Sequence, residues 1–203
     1  MRRLAGILGT VLLAFALSGC FTVRFVEDYD PVLDQGLSAY QADMAAFLAR
    51  MSATAAKPEG KFGHPDVQAF YARTGAQLQS FVDRAEALDE EGKCLPANFT
   101  GRGIEKVVKE SAGFLRSSGL PFGDVESVAT AITELGSGSS DIAKGNCTVV
   151  VLKVVRANHE LTRKIHETNG ALPKIVVGIA GPILDQSVRI AIKNEVLKKN
   201  RDN

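Results

Sequence analysis

The sequence predicts an all-α fold, an antiparallel bundle of about five to six helices closed by one disulfide. Three observations carry this. Apolar residues recur at alternating spacings of four and three over long stretches, and the interruptions are clusters of Gly, Pro and small polar residues. Two cysteines, Cys94 and Cys147, also lie well apart in the chain. A 4-3 alternation lines one face of a helix, because 3.6 residues make one turn.

The first helix opens at Asp30-Pro31, an acceptor side chain at the cap followed by proline at the first helical position. Its stripe is Leu33, Leu37, Tyr40, Met44, Phe47 and Met51, and Pro58 ends it by disfavouring helix at Lys57. The second is signalled by His64-Pro65-Asp66. Its stripe runs Val67, Phe70, Thr74, Leu78, Phe81, Ala85 and Leu88, widened by Tyr71 and Val82. Glu91-Gly92-Lys93-Cys94-Leu95-Pro96 stops it.

A third helix is expected through Ile104, Val107, Val108, Ser111 and Leu115, and a fourth through Val125, Val128, Ala129, Ile132 and Leu135. Gly136-Ser137-Gly138-Ser139-Ser140 reads as a polar connection. It is a poor phosphate loop, since it has neither a preceding strand nor the Gly-Lys-Ser/Thr such loops require. Residues 148–155 are rich in β-branched side chains, yet Val151, Leu152, Val155, His159, Thr162 and His166 keep helical spacing up to the Asn169-Gly170 stop. Helix is the better reading. Residues 173–180 form another β-branched run, interrupted by Gly178, Gly181 and Pro182. Ile175 to Gly181 is expected to be core. A last helix then follows through Ile183, Ser187, Ile190, Asn194 and Leu197, and Lys198-Lys199 place positive charge where the helix dipole favours it.

Ahead of this domain, Met1-Arg2-Arg3 is followed by an uncharged apolar run from Leu4 to Leu17. A helix spanning the hydrocarbon core needs about 20 apolar residues, so this run is short for an anchor and suits a secretory signal peptide. Leu17-Ser18-Gly19-Cys20 resembles the lipobox of bacterial lipoproteins. The resemblance implies that residues 1–19 are removed and that Cys20 becomes the lipidated first residue of the mature protein. Residues 20–30 then form a short tether, and residues 31–203 a single helical domain. Two or more acyl chains hold a protein stably to a bilayer where one does so only marginally. The residue after Cys20 is Phe21 rather than Asp, which in Gram-negative members of that family favours the outer membrane over inner-membrane retention. The layout also resembles small uncharacterised helical envelope lipoproteins. The shared residues are Tyr29-Asp30-Pro31, then Gly145-Asn146-Cys147-Thr148 leading into Asn158-His159-Glu160 and His166. That resemblance implies no catalytic residues.

The 24 basic residues lose Arg2 and Arg3 with the leader, leaving 22 against 23 acidic ones, a net charge of −1. A nearly neutral chain has no bulk electrostatic reason to bind nucleic acid. Setting Cys20 aside for lipid leaves Cys94 and Cys147 as a pair in an exported protein, where disulfides persist. If the middle of the chain holds two antiparallel helices, an alternating bundle puts both cysteines at one end.

Catalytic and metal chemistry find little footing. His159 and His166 share a helix face but stand about 10 Å apart along it, not the four-residue spacing of a zinc helix. They are expected to be structural, at the edge of the core or ion-paired. Glu160 with Lys164, and Arg163 with Glu167, are surface helix pairs worth roughly 0.2–0.5 kcal/mol each. The Asp89-Glu90-Glu91 run offers no pair of differently tuned carboxylates. Ser residues lack the Gly-x-Ser-x-Gly elbow. The glycosylation-like triplets at Asn98 and Asn146 are read as chance beside a bacterial lipobox. The expectation is therefore a non-enzymatic lipoprotein of the cell envelope, needing no cofactor, that binds or scaffolds another envelope component. The alternative is a periplasmic small-ligand or metal carrier with a cavity between helices, involving His159 and His166.

Overall fold

The computed structural model describes residues 29–88 and 147–202, together with Lys106, Glu110 and Gly113. Its elements are α1 (Pro31–Thr54), a 3-10 turn (Pro58–Gly60), α2 (Pro65–Ala87), α3 (Cys147–Asn169) and α4 (Lys174–Asp202). The fold is all-α, and the described residues hold no strand beyond one isolated antiparallel pairing of Lys61 with Ala171.

α1 begins as its first residues dictate. Asp30 is extended and its carboxylate accepts from the N–H groups of Val32 and Leu33, which satisfies two of the orphan donors at the helix start. All six stripe residues are buried, with Leu48 beside them. α2 starts with His64, whose Nδ1 accepts from the Asp66 N–H. Its inner face follows the expected stripe except at two places: Phe70 is half-buried, and Leu88 is exposed just past the last turn. Gly36 allows α1 and α2 to close up, since a methyl group there would collide with the Phe81 ring. The Phe47 and Phe70 rings stack across the same seam at 3.8 Å.

Residues 148–155 are helical, within α3. Gly170 ends that helix at φ +66, the left-handed conformation that favours glycine, and its carbonyl accepts from the Phe62 N–H. The link between α1 and α2 is thereby fixed to the link between α3 and α4.

The last helix differs from expectation. It begins at Lys174 rather than at Ile183 and passes through Gly178, Gly181 and Pro182 without a break. An interior proline removes one backbone hydrogen bond, here the one to the Gly178 carbonyl, and costs about 3 kcal/mol in a helix. Gly178 and Pro182 both face solvent, so water can take the freed carbonyl. On the opposite side Val176, Ala180, Leu184, Val188 and Ala191 are buried. Large apolar side chains contribute about 1.5–3 kcal/mol each on burial, which offsets the proline. The segment expected to be core is therefore only half so, since Ile175 and Ile179 are exposed.

The four helices alternate in direction. The start of α1, end of α2, start of α3 and end of α4 meet at one end, where Asp30 touches Arg84 and Glu195, and Glu195 touches Thr148. The other end carries the Lys61–Ala171 pairing. α4 packs against α1 and α3, and α2 against α3. Lys106 and Glu110 have helical backbone and form an i,i+4 ion pair at 3.7 Å. The remainder of the expected third helix, all of the fourth, and the Gly136–Ser140 connection lie outside the described residues.

Candidate functional site

Cys20 and Cys94 lie outside the described residues, and so does the side chain of Cys147, whose backbone opens α3. The two histidines are placed clearly. Both are inside the core of the bundle, His159 at 2 % and His166 at 0 % exposure, and neither is at its edge or ion-paired as expected.

Each histidine is tied to a tyrosine from another helix. Tyr71 Oη lies 3.2 Å from His166 Nδ1, and His166 Nε2 lies 3.0 Å from the Gly60 carbonyl. A carbonyl only accepts, so Nε2 carries the proton, Nδ1 is bare, and the tyrosine hydroxyl donates to it. Tyr40 Oη similarly lies 3.0 Å from His159 Nδ1. On the far side of that ring Nε2 makes no well-formed hydrogen bond, and it faces Gly75. The Tyr71 ring stands edge-on to both imidazoles, with centroids 5.7 and 5.8 Å away.

This cluster excludes charge. Burial pushes the His159 pKa down to about 4, and the Glu160 carboxylate and Tyr71 carbonyl oppose the shift without cancelling it. His166 is lowered by burial as well, with Lys61 reinforcing and the Gly60 carbonyl opposing. Burial raises both tyrosines far above their ordinary value. All four groups are neutral at pH 7. Among the described residues no three His, Cys, Asp or Glu side chains gather as metal ligands would.

A second polar cluster, unexpected from the sequence, sits where the chain enters the bundle. Glu195 and Lys198 are buried, at 0 % and 4 % exposure, and form an ion pair at 2.9 Å. Thr148 joins them. Its hydroxyl donates to Glu195 Oε1 at 3.2 Å and accepts from Lys198 Nζ at 2.6 Å and Asn194 Nδ2 at 2.9 Å, which uses its one proton and both lone pairs. The other Glu195 oxygen accepts from the Asp30 N–H at 3.1 Å. Asp30 in turn is paired with Arg84. Burial would raise the Asp30 pKa, but Arg84 and the N–H groups of Val32 and Leu33 outweigh it and hold the carboxyl below its usual value. A periodic signal for this cluster exists in the sequence. Continuing Leu184, Val188 and Ala191 at helical spacing lands on Glu195 and Lys198.

The third feature is a groove of about 420 Å³ between α1 and α4. Its walls are mainly apolar, with Met44 and Leu48 on one side and Val177, Gly181 and Pro182 on the other. A polar edge is formed by Gln41, which donates to Asp185 at 2.5 Å, and Asp185 is also paired with Arg189. No histidine lines it. α4 supplies one wall, and within Lys174–Asn200 an 18-residue stretch has a mean hydropathy of 1.5, so the helix is long and apolar enough to cross a membrane by length and composition alone. In the bundle the inner side of that helix is packed against α1 and α3, and it carries the buried Glu195 and Lys198.

Comparison with known proteins finds no matching family model, no matching curated protein and no matching solved structure.

Proposed function

We propose that the chain is a lipid-anchored protein of the cell envelope, non-enzymatic, which binds or scaffolds another envelope component. In a Gram-negative cell it would sit at the outer membrane facing the periplasm. The observation that carries the reading is Leu17-Ser18-Gly19-Cys20 at the end of a short apolar run behind two arginines. The architecture suits a tethered domain. Asp30 follows Cys20 by ten residues and is held by Glu195 from α4 and Arg84 from α2, so pull on the tether is shared by several helices. Metabolic labelling with a radioactive fatty acid tests the anchor, and undiminished labelling of a Cys20→Ala chain would refute it. Crosslinking in cells, followed by identification of what is captured, tests the partner.

The finer architecture belongs to the same proposal. Lys153 of α3 pairs with Glu86 of α2 at 2.7 Å, so the end of α2 lies against the early turns of α3. Only five residues separate Leu88 from Cys94, and Cys147 starts α3. This proximity supports a Cys94–Cys147 disulfide, worth roughly 4 kcal/mol for a loop of this length on the chain-entropy model. A connection that leaves and rejoins the bundle at one end also supports two antiparallel helices in the middle, six in all. Two free thiols under oxidising conditions would exclude the bridge.

The α1–α4 groove favours a second reading, a carrier of a small apolar ligand, since ligand pockets begin at about 300 Å³. The metal form of that reading gains nothing from His159 and His166, whose Nδ1 atoms face tyrosine hydroxyls inside the core. Native mass spectrometry of protein isolated from its own envelope decides it. A co-purifying small molecule supports the carrier, and its absence leaves partner binding.

A further inference from the structure

The α1–α4 groove lies on a line that begins where the chain enters the bundle. On α1, Asp34, Gln41, Ala45 and Leu48 follow one another at spacings of seven, four and three, so they share a narrow strip of the helix. On α4, Lys199, Val188, Asp185 and Gly181 do the same at spacings of eleven, three and four. All of these except Asp34 and Lys199 line the groove. Tyr29, the first described residue, sits at the head of both strips. Its hydroxyl donates to Asp34 at 2.9 Å, and its ring lies under the Lys199 ammonium at 5.4 Å. The seam that Tyr29 straddles is the seam that opens into the groove.

The chain ahead of Tyr29 suits that groove. It reads Phe21-Thr22-Val23-Arg24-Phe25-Val26, and in an extended chain Phe21, Val23 and Phe25 fall on one side. Such a face gains free energy by leaving water. Reach agrees. The groove follows α1 over residues 41–49, about 15 to 27 Å from Pro31 at about 1.5 Å per residue. At about 3.4 Å per residue, an extended chain puts Phe25 about 14 Å and Phe21 about 27 Å from Tyr29. Charge agrees as well. Laid back along α1, Arg24 would come level with Asp185 and Glu27 with Arg189, whose side chains are 41 % and 70 % exposed.

We propose that residues 21–26 of this same chain occupy the α1–α4 groove, extended and running back along α1, with Phe21, Val23 and Phe25 against its apolar walls and Arg24 at the Asp185 edge. Two other occupants fit less well. A strand from residues 89–146 would leave from the end of α2 and return to the start of α3, and the α2–α3 seam is opposite the α1–α4 seam. A second copy would have to compete with a segment already attached at the head of the groove, at the effective concentration of a short linker. The assignment goes beyond the carrier reading, since a small ligand would have to displace the chain's own residues. It holds whether or not Cys20 is acylated.

Photocrosslinking of the full chain in cells tests this. With benzoylphenylalanine in place of Phe25, mass spectrometry should find position 25 joined to residues 41–49 or 177–188 in a product of monomer mass. Ala45 is exposed on the α1 wall, so Ala45→Arg leaves the core untouched, and circular dichroism would verify its fold. An arginine there puts bulk and an unpaired charge beneath Val23, and should lower the crosslink about fivefold or more. A product of dimer mass would assign the groove to a second copy. Capture of lipid or of another protein, or the lack of any crosslink to the groove, would place the segment elsewhere. A yield that Ala45→Arg leaves unchanged would mean that the segment passes the groove without docking. Each of these overturns the proposal.

Discussion

The bundle contains two buried polar clusters that solve one problem in opposite ways. At the tethered end, Glu195, Lys198 and Asp30 keep charged side chains in the interior and are satisfied by one another and by Arg84 at the rim, with Thr148 and Asn194 filling the remaining bonds. Between the middle and the far end, Tyr40, His159, Tyr71 and His166 are equally buried and remain neutral. A charge taken from water is tolerated only with a close counter-charge and further hydrogen bonds. The first cluster has both, whereas the second has tyrosine hydroxyls and a carbonyl, which suffice only for neutral imidazole. The two clusters should therefore fail differently.

The largest expected effect comes from splitting the buried ion pair. Lys198→Met leaves the Glu195 carboxylate buried without its cation and should cost about 3–5 kcal/mol in urea unfolding. Glu195→Met combined with Lys198→Met removes both charges and should return to within about 2 kcal/mol of the parent chain, because the desolvation of two ions disappears with them. A double variant no better than the single one would show that the pair stabilises by attraction, and the comparison would fail.

Acid separates the clusters by pH. The His159 imidazole titrates near 6.5 in the unfolded chain but only at about 4 in the folded one. Between those values the unfolded chain binds the extra proton, so stability is complete above about 6.5 and falls as pH drops towards 4, by roughly 3 kcal/mol in all. His166 is lowered too and adds to the same loss. Asp30, held below its ordinary 3.8, keeps its contribution through that window and loses it only at lower pH. Urea midpoints measured from about pH 7 to pH 4 should fall steeply for the parent chain and less steeply for His159→Phe. Parallel curves would sink the assignment. A smaller effect is expected from Tyr71→Phe, which strips the donor from His166 Nδ1 but leaves Gly60 on Nε2. It should cost about 1–2 kcal/mol in thermal unfolding, with less than 0.5 kcal/mol, roughly, arguing that the hydroxyl bond is idle.

The neutral cluster was half legible in the sequence and the charged one was not, for a physical reason. His159 and His166 fall on the apolar period of α3, together with Val151, Leu152 and Val155, so their inward placement could be read. Their partners are on other helices, and spacing within one helix carries no information about those. Lys198 sits beside Lys199 near a helix end, where the dipole favours cations and solvent is the ordinary surrounding. Only the continued period from Leu184 marks it as inner, and charge type argues against that period. The start of α1 was fully legible because Asp30-Pro31 acts locally through capping and a fixed φ. Pro182 misled for the same local reason: a proline usually stops a helix, and what overrides it is burial on the far side of α4, a tertiary quantity.

The weakest test concerns how far the charged cluster's strength extends outward. The Arg84 side chain is 44 % exposed while Asp30 is 5 % exposed, so this pair lies at the boundary with water. Asp30 would keep its bonds to the Val32 and Leu33 N–H groups after Arg84→Ala, and water can solvate the carboxylate from the opened side. Exposed pairs contribute about 0.2–1 kcal/mol, and salt screens them. Arg84→Ala should thus cost less than about 1 kcal/mol, and the difference from the parent chain should shrink further in about 1 M sodium chloride. A loss comparable to that of Lys198→Met, unmoved by salt, would mean that Arg84 and Asp30 belong to the dry interior with Glu195 and Lys198. The charged end would then be one continuous network from α2 to α4 instead of a buried pair with a solvated rim.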